Sequence, residues 1–436
     1  MRAWIGPLVR RLHFYAGVFI GPFILVAALS GLVYAVTPTI EDAVYKHELT
    51  APAYERVPDA RPLAEQLDAA DESLTGAGYE LAAVRPAPEP GSTTRIMYAH
   101  PDLGESETHA VFVDPTSLEV RGAETVYGTS GALPLRTAVS QFHRHLGLGD
   151  VGRLYSELAA SWLWLVALGG LALWLLGRRR SSPAKAKSGY GKLSRLHGTV
   201  GVWVLLGALF LSATGLTWSA YAGANVSDLR SALGWTTPSV STSLEESDAG
   251  PAGGPTPQES TGDRLDAVWA AAKSANIDTD LVEIKPSGDS SSAWTVTEIQ
   301  RSFPTKVDAV AIDPATLRTV DRADFADYSV PAKLARWGID LHMGALFGVA
   351  NQIALAVLGL AVATLVVLGY AMWFKRGPRR PGPAPRALGL VRAPWWGLLL
   401  VLGIAAGIGL FLPLLGLSLA AFVVVDGVVA LTSRTR

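Results

Sequence analysis

Residues 11–18 read RLHFYAGV and residues 195–202 read RLHGTVGV, so one short motif occurs twice at an offset of 184 residues. At the same offset, Gly31-Leu32 aligns with Gly215-Leu216. Each motif opens a long apolar segment. This internal similarity indicates that one helix has been used twice.

A second alignment extends the duplication beyond these helices. At an offset of 199 residues, it pairs Val113-Asp114-Pro115 with Ile312-Asp313-Pro314, His143 with His342, and Trp174 with Trp373. The offsets differ by 15 residues, which we interpret as an insertion in the Ser/Gly/Pro-rich linker at 236–257, because such linkers tolerate length changes at small cost. The duplicated unit is therefore a helix, an outer segment and a second helix.

The apolar residues, 49% of the chain, cluster in runs that are typical of membrane-spanning helices. They predict an α-helical membrane protein with six transmembrane helices and two small extracytoplasmic α+β domains. In chain order we expect a first span at 8–37, a first outer domain with an interfacial helix at 38–152, a second span at 153–177, a basic loop at 178–194, a third span at 195–221, a second outer domain at 222–344, a fourth span at 345–374, a basic loop at 375–390 and a C-terminal helical hairpin at 391–432.

The distribution of charge predicts the orientation. Residues 177–195 carry seven Lys or Arg and no acid, and residues 375–392 carry six and no acid, so the positive-inside rule assigns both loops to the cytoplasm. Segments 38–152 and 223–340 hold 36 of the 38 acidic residues and are expected to face outward. We therefore predict a multi-pass protein of the bacterial cytoplasmic membrane, with both termini inside and a first span that is retained rather than cleaved.

Composition and motifs also exclude several chemistries. The chain has no cysteine, which excludes disulfides, iron–sulfur clusters and thiolate metal sites. It contains no phosphate-binding glycine loop, dinucleotide fingerprint, nucleophile elbow or zinc-ligand spacing. Hydrolysis and direct hydride uptake from a nicotinamide are therefore disfavoured, no catalytic side chain is assigned, and no nucleic-acid partner is expected.

Each outer segment is long enough for a small domain. The first is predicted to contain a helix at 63–77 and strands at 81–85, 94–99 and 108–113. The second is predicted to contain a helix at 264–275 and strands at 280–285, 293–298 and 306–311. Each pattern predicts a helix packed on a small antiparallel sheet, with Val111 and Val113 facing inward and Phe112 facing outward.

Two histidines stand at the predicted cytoplasmic ends of the repeated helices. His13 and His197 each follow Leu by one residue and Arg by two. If the helices pack side by side, the two imidazoles lie at one depth and can occupy both axial positions of a haem iron. Gly17 and Gly201 lie four residues on, on the same helix face, where a missing side chain leaves room for a flat macrocycle.

Nearby residues extend this prediction of an inner haem site. Arg11 and Arg195 could meet haem propionates at the membrane interface. Gly31, five helical turns beyond His13, shares its face. The alternative is that interfacial His and Arg anchor the helix end, while the glycines serve close helix packing.

His143 and His342 occupy corresponding outer positions, on short interfacial helices that we expect to break at the glycines that follow. This pair predicts a second bis-histidine haem near the outer face. His145 has no partner in the second copy, where Gly344 stands, so it is assigned to propionate contact or to the mouth of a substrate site. The alternative is a pair of surface helices whose histidines face water.

Several motifs resemble one known family. The strand–turn segments VFVDPTSLEV at 111–120 and VAIDPATLRTV at 310–320 look like the end of a PepSY domain. The RLH helices, FHRHLGLG at 142–149 and LHMGALFG at 341–348 resemble the PepSY-associated transmembrane family, which includes inner-membrane ferrisiderophore reductases. The resemblance covers about residues 8–376 and implies haem-bearing electron transfer to ferric chelates outside the cell; the final hairpin lies beyond it.

These observations predict a transmembrane electron conduit with two b-type haems, and the resemblance makes a ferric siderophore the expected acceptor. The cytoplasmic loops are too short to hold a flavin or nicotinamide domain, so the donor would be a soluble reductase or membrane quinol. The competing prediction is a non-redox membrane protein whose paired outer domains regulate a peptidase or sense envelope conditions. A transporter is disfavoured, because the repeats read as parallel and the first four spans lack a buried charged pair.

Overall fold

The structure is a computed structural model, which describes residues 2–52, 60–177, 189–244, 260–375 and 393–432. The chain divides into two compact units. The helical unit comprises Met1–Val36, Val139–Gly234 and Gln352–Arg436, and the sheet unit comprises Thr37–Ala138 and Trp235–Asn351. The predicted linker at 236–257 and the basic loops at 178–194 and 375–390 lie largely outside the described residues.

Helices account for most of the described chain. In order they are α1 (Arg2–Tyr15), α2 (Gly21–Val44), α3 (Lys46–Leu49), α4 (Leu63–Ser73), α5 (Pro134–His145), α6 (Gly149–Gly177), α7 (Gly189–Trp203), α8 (Leu205–Thr217), α9 (Tyr221–Ala232), α10 (Thr261–Ser274), α11 (Val330–His342), α12 (Gly348–Phe374), α13 (Trp395–Phe411) and α14 (Pro413–Thr432).

Within the described ranges, three helices are long and apolar enough to cross a membrane, namely Trp4–Val44, Gly149–Gly177 and Gly348–Phe374. Helices α7 and α8 meet the same criterion together, and they make a fourth span if the bent pair counts as one. The 17-residue α13 is about 26 Å long, less than a hydrocarbon core of about 30 Å. Length and composition therefore support three or four spans, where the sequence predicted six.

Both copies of the repeated helix are irregular at the same place. In the first copy, Ala16–Ile20 form a π-helical turn. In the alignment at offset 184, this turn corresponds to residues 200–204. There α7 ends, and the chain bends by 60° before α8 begins. The Val18 carbonyl accepts a hydrogen bond from the Tyr370 hydroxyl at 2.6 Å, so a carbonyl of the π turn has a partner inside the helical unit. Such turns occur frequently at functional sites.

Glu157 is a buried carboxylate in the long helix α6. Its two oxygens accept the backbone N–H groups of Tyr221 at 2.9 Å and Ala222 at 3.0 Å. These groups open α9, and the first N–H groups of a helix lack intrahelical partners and carry partial positive charge. Glu157 therefore acts as a cap for a helix that the periodicity of the sequence does not predict.

The C-terminal helices pack into the core of the helical unit. Trp162 of α6 is fully buried, and its indole N–H donates to the Ser418 hydroxyl of α14 at 2.8 Å. Ser418 in turn donates to the Leu414 carbonyl at 2.6 Å. Leu412 and Leu415 are buried in the same cluster. The final hairpin thus covers a tryptophan of the repeated core, which gives it a structural role.

The sheet unit is built on one antiparallel sheet of eight strands. In chain order they are β1 (Glu80–Arg85), β2 (Thr94–Ala99), β3 (Glu107–Val113), β4 (Val120–Tyr127), β5 (Val282–Lys285), β6 (Trp294–Glu298), β7 (Ala309–Ile312) and β8 (Thr319–Ala323). Their spatial order is β4-β3-β2-β1-β5-β6-β7-β8. Each half of the chain therefore forms a meander, and the two first strands pair at the centre, where Val84 lies opposite Ile284.

This arrangement corrects the prediction of two separate outer domains. The predicted helix and three strands are present in each half, but each half adds a fourth strand, and the halves share one sheet and one core. Pairing β1 with β5 satisfies backbone groups that two separate sheets would leave open at their inner edges. The apolar residues of the two fourth strands do not alternate regularly with polar ones, so the alternation pattern did not reveal these strands.

Helices α4 and α10 cover one face of the sheet. Leu67, Val111, Leu265 and Val296 are buried there in a single cluster that spans both halves. On the opposite face of the first half, Phe112 is fully buried against Met97 and Leu133, with Tyr45 and Leu49 packed on them. The prediction that Phe112 marks a solvent-facing side is therefore wrong, because residues after the first span cover that face.

A buried ion pair joins the two halves of the sheet. The Arg85 guanidinium donates to the Glu283 carboxylate from Nε at 2.8 Å and from Nη2 at 2.5 Å. Arg85 also donates to the carbonyls of Thr129 and Ser130. Lys285, which is half exposed, lies 2.9 Å from the other Glu283 oxygen. The pair is thus hydrogen-bonded on both sides, which a buried charge requires.

Removing one charge of this pair should destabilise the sheet unit. We expect Glu283→Gln to lower the free energy of unfolding by about 3 kcal/mol, because it leaves the buried Arg85 guanidinium uncompensated. Lys285→Ala is the control and should cost less than about 1 kcal/mol, since exposed pairs contribute little. Chemical denaturation of the full chain in detergent, followed by tryptophan fluorescence, measures both. Equal destabilisation by the two variants would contradict this role.

Glu298 sits in a second polar cluster, at the end of β6. It is buried, and its carboxylate accepts the backbone N–H of Asp278 at 3.0 Å and of Asp308 at 3.2 Å. Lys306 lies 2.8 Å from the Asp278 carboxylate. Burial raises the pKa of Glu298 to about 7, while the hydrogen bond from Lys306 lowers the pKa of Asp278. Below about pH 7, the folded protein therefore holds a proton on Glu298.

Because the folded protein holds this proton more tightly than the unfolded chain does, the sheet unit should become less stable as the pH rises. Between the ordinary glutamate pKa of 4.5 and about 7, the folded protein holds a proton that the unfolded chain has released, so stability falls with increasing pH through this window. Glu298→Gln should flatten that part of the profile, whereas Glu80→Gln, at an exposed position, should leave it unchanged. Melting temperatures of the full chain across this range give the slopes; parallel wild-type and Glu298→Gln profiles would refute the assignment.

Candidate functional site

The histidines of the repeated motif lie side by side in the helical unit. His13 is on α1 and His197 is on α7. Their ring centres are 6.2 Å apart, and the ring planes are inclined by 81°. Both rings are half-buried between apolar helices. The structure therefore brings together the two residues that the sequence assigned to one site.

Backbone carbonyls fix the protonation of both rings. His13 Nδ1 lies 3.1 Å from the Val166 carbonyl oxygen, and His197 Nδ1 lies 3.1 Å from the Leu365 carbonyl oxygen. A carbonyl can only accept, so each Nδ1 carries the proton and donates it. In the neutral imidazole, Nε2 then keeps its lone pair. This is the arrangement in which a histidine ligates a metal through Nε2.

The residues around the two rings are also related by the internal repeat. Val166 and Leu365 are related by the offset of 199, and so are Gly170 and Gly369. A Cβ placed on Gly170 would lie 3.2 Å from His13 Cε1, and one on Gly369 would lie 4.0 Å from His197 Cε1. Each imidazole therefore packs against a glycine of the next helix while donating to a carbonyl one turn earlier.

Open space adjoins His13, the first histidine of the pair. A Cβ at Gly17 would meet no heavy atom within 4 Å, and a Cβ at Gly201 would meet only Leu365, at 3.8 Å. An apolar cavity of about 220 Å³ lies against His13 and is lined by side chains of α1 and α6, including Leu12 and Trp162. Gly17 lies within the π-helical turn, and Gly201 lies three residues before the break at Val204. Both glycines therefore border space that a side chain would fill.

The pair fits a bis-histidine haem by distance and by donor type. A metal–nitrogen bond to histidine is about 2 Å long, so imidazoles on opposite sides of one iron have ring centres roughly 6 Å apart. The observed 6.2 Å agrees with that separation. Among the described residues, no group of three or more His, Asp or Glu could hold a metal ion, but a haem asks for only two axial ligands.

The arginines of the motif differ in exposure. Arg11 is half-buried and places its guanidinium 5.2 Å from the centre of the Tyr15 ring. Arg195 is exposed. Stacking on an aromatic ring leaves the guanidinium N–H groups directed to the sides, where they can bind an anion. Their assignment to haem propionates remains a prediction.

His143 is held against α2. Its Nδ1 lies 2.8 Å from the Ser30 hydroxyl, and its ring stacks on Tyr34 with centres 6.5 Å apart and planes inclined by 15°. A Cβ at Gly31 would lie 3.1 Å from His143 Cε1. Gly31 thus makes room for His143.

The other outer histidines have separate surroundings. His145 Nε2 bonds to the side-chain oxygen of Gln141 at 2.7 Å. His342 ends α11 in the sheet unit, two residues after the fully buried Asp340, whose carboxylate accepts from Arg336 Nε at 2.8 Å. Its pairing with His143, and the role of His145 at a propionate or substrate mouth, stay predictions.

Three contributors to these sites were not expected from the sequence. The carbonyls of Val166 and Leu365 leave no mark on residue type, because any residue supplies one. The glycines Gly170 and Gly369 could have been found by extending the alignment at offset 199. Ser30 could not, because a lone serine in an apolar helix usually bonds to its own backbone.

The family can now be stated. The family described as PepSY-associated TM region matches residues 10–376, so the match spans both repeats from the first histidine motif to the end of α12. The chain belongs to this family and is a membrane protein. A comparison with curated proteins found no significant match.

Proposed function

We propose that this protein transfers electrons across a membrane by means of haem bound between His13 and His197. The observation that carries the proposal is the geometry of this pair: ring centres 6.2 Å apart, with both Nδ1 groups donating to carbonyls. When bound, the haem iron would accept and release one electron at a time. Because the two histidines would take both axial positions, the site suits electron transfer rather than substrate binding at iron.

The chain's own residues have defined tasks at this site. The Val166 and Leu365 carbonyls orient the two rings and strengthen them as ligands. Gly17 and Gly201 leave open space one turn beyond the histidines, and apolar side chains of α1 and α6 line the cavity against His13. Burial and hydrogen bonding at the ligands are the means by which a protein sets a haem potential.

The proposal includes a second b-type haem, held by His143 and His342. This part rests on the sequence repeat, in which His143 and His342 are related by the same offset as the Val166 and Leu365 carbonyls. The surroundings of His143 support this second haem site, because the His143 Nδ1 atom lies within hydrogen-bonding distance of the Ser30 hydroxyl.

We further propose that the acceptor is a ferric siderophore or another ferric chelate, reduced at the extracytoplasmic side of a bacterial inner membrane. The family resemblance motivates this choice. Reduction favours iron release, since a chelator rich in hard oxygen ligands holds the softer Fe(II) less strongly. The donor would be a soluble reductase or quinol at the cytoplasmic side, where the basic loops and both termini would lie. The protein would then act as a haem-dependent ferric-chelate reductase.

Replacing the inner ligands should remove one haem and leave the other. We expect His13→Ala and His197→Ala each to lower the haem content from about two to about one per chain, because one imidazole alone holds haem weakly. His143→Ala and His342→Ala should remove the other haem. The pyridine haemochrome assay gives the stoichiometry, and visible difference spectra show which band is lost.

His100→Ala and His47→Ala are matched controls, because both histidines lie in the sheet unit outside the proposed sites. Neither should change the haem content. If all four ligand variants keep the wild-type content, the proposal is wrong. If His145→Ala removes a haem while His143→Ala does not, the outer ligand is His145 and the inner site stands.

A further inference from the structure

Ser30 sits at the point where α2 meets His143, and its one hydroxyl proton is already committed. The hydroxyl donates to the Val26 carbonyl at 2.7 Å, and the Ala27 carbonyl lies within 3.2 Å of the same oxygen. Both carbonyls can only accept. The Ser30 oxygen is buried, and the atom 2.8 Å from it is Nδ1 of His143.

This commitment decides the tautomer of His143. Since the serine proton points to a carbonyl, Ser30 Oγ has only lone pairs to offer, and His143 Nδ1 must carry the proton in this contact. In the neutral ring, Nε2 is then unprotonated. His143 therefore takes the same Nδ1–H form as His13 and His197, with the Ser30 hydroxyl oxygen beside Nδ1 in addition to a backbone carbonyl partner, that of Ala27.

The ring and backbone of His143 are held on further sides. Tyr34, one turn beyond Ser30, stacks on the ring, and Gly31 leaves the gap into which the ring fits. The Tyr155 hydroxyl of α6 donates to the His143 carbonyl at 2.7 Å. An accidental contact of a surface histidine would not need a glycine, a hydroxyl and two tyrosines arranged around it.

The second copy of the helix repeats the serine arrangement. Thr214 stands at the position of Ser30 under the offset of 184, next to Gly215 in place of Gly31. Its hydroxyl donates to the Phe210 carbonyl at 2.8 Å, as Ser30 does to that of Val26. A hydroxyl whose proton is held by its own helix, beside a glycine, is therefore part of the duplicated unit.

The geometry points to Ser30 as a positioning residue that fixes the tautomer of His143. His143 Nε2 would then be available as an axial ligand of the outer haem, and Ser30 would tune the redox potential of that haem. This inference rests on the proposed function. A hydrogen bond from His143 Nδ1–H to the Ser30 oxygen makes the imidazole a stronger electron donor to iron, which favours ferric over ferrous iron. Without the hydroxyl, the buried His143 ring keeps the Ala27 carbonyl as a partner but loses the acceptor that lies 2.8 Å from Nδ1.

The test is a redox titration of Ser30→Ala and Ser30→Thr in the otherwise intact, detergent-purified chain, followed in the visible spectrum and by electron paramagnetic resonance. We expect Ser30→Ala to raise the midpoint potential of one haem, the one that His143→Ala removes, and to alter its ferric low-spin signal. The other haem should be unchanged. Ser30→Thr keeps the hydroxyl and should match the wild type.

Ser212→Ala is the matched control, because Ser212 is equally buried but donates to the Ala160 carbonyl. If Ser30→Ala leaves both potentials unchanged, or if Ser212→Ala shifts the same potential equally, the inference is overturned. If Ser30→Ala cannot be purified, Ser30→Cys, whose sulfur is a weak acceptor, must show the upward shift instead. A wild-type chain without haem would refute the proposed function itself, a result distinct from haem present with an insensitive potential.

Discussion

The hydrogen bonds from the His13 and His197 rings to the carbonyls of Val166 and Leu365 are the constraint on which the proposed site depends. Inside a hydrocarbon layer, backbone groups must be satisfied within the protein, and an imidazole placed there needs a partner for its own N–H. A carbonyl one helix away meets that need and orients the ring at the same time. Each histidine thus ties the first helix of its repeat to the second.

Duplication explains why the two rings meet. Each copy supplies one histidine, one irregular turn just beyond it and one glycine on the second helix of the repeat. The sheet unit shows the same pairing of the two copies. There the two copies join through β1 and β5, and the Arg85–Glu283 pair is buried at the joint. In both units, the first and second copies build one structure rather than two.

The sequence predicted the histidine pair, the long apolar helices and three strands in each outer half, because all of these depend on local pattern or on repetition. It did not predict β4, whose residues include a glycine and two charged side chains, nor the joining of the sheets, which depends on contacts between segments about 200 residues apart in sequence. The cap made by Glu157 was missed for the same reason, since its partners are backbone N–H groups 64 and 65 residues away. Backbone acceptors of the histidine protons leave no trace in residue type, so only coordinates reveal them.

The most direct test of the central claim is the haem content of the wild-type chain. The measurement is a dithionite-reduced minus oxidised visible spectrum of detergent-purified protein, combined with a pyridine haemochrome assay. The proposal predicts low-spin b-type spectra and about two haems per chain, each with two histidine ligands. Protein without haem, after expression with ample iron and haem precursor, would contradict it and would favour a regulatory role for the sheet unit.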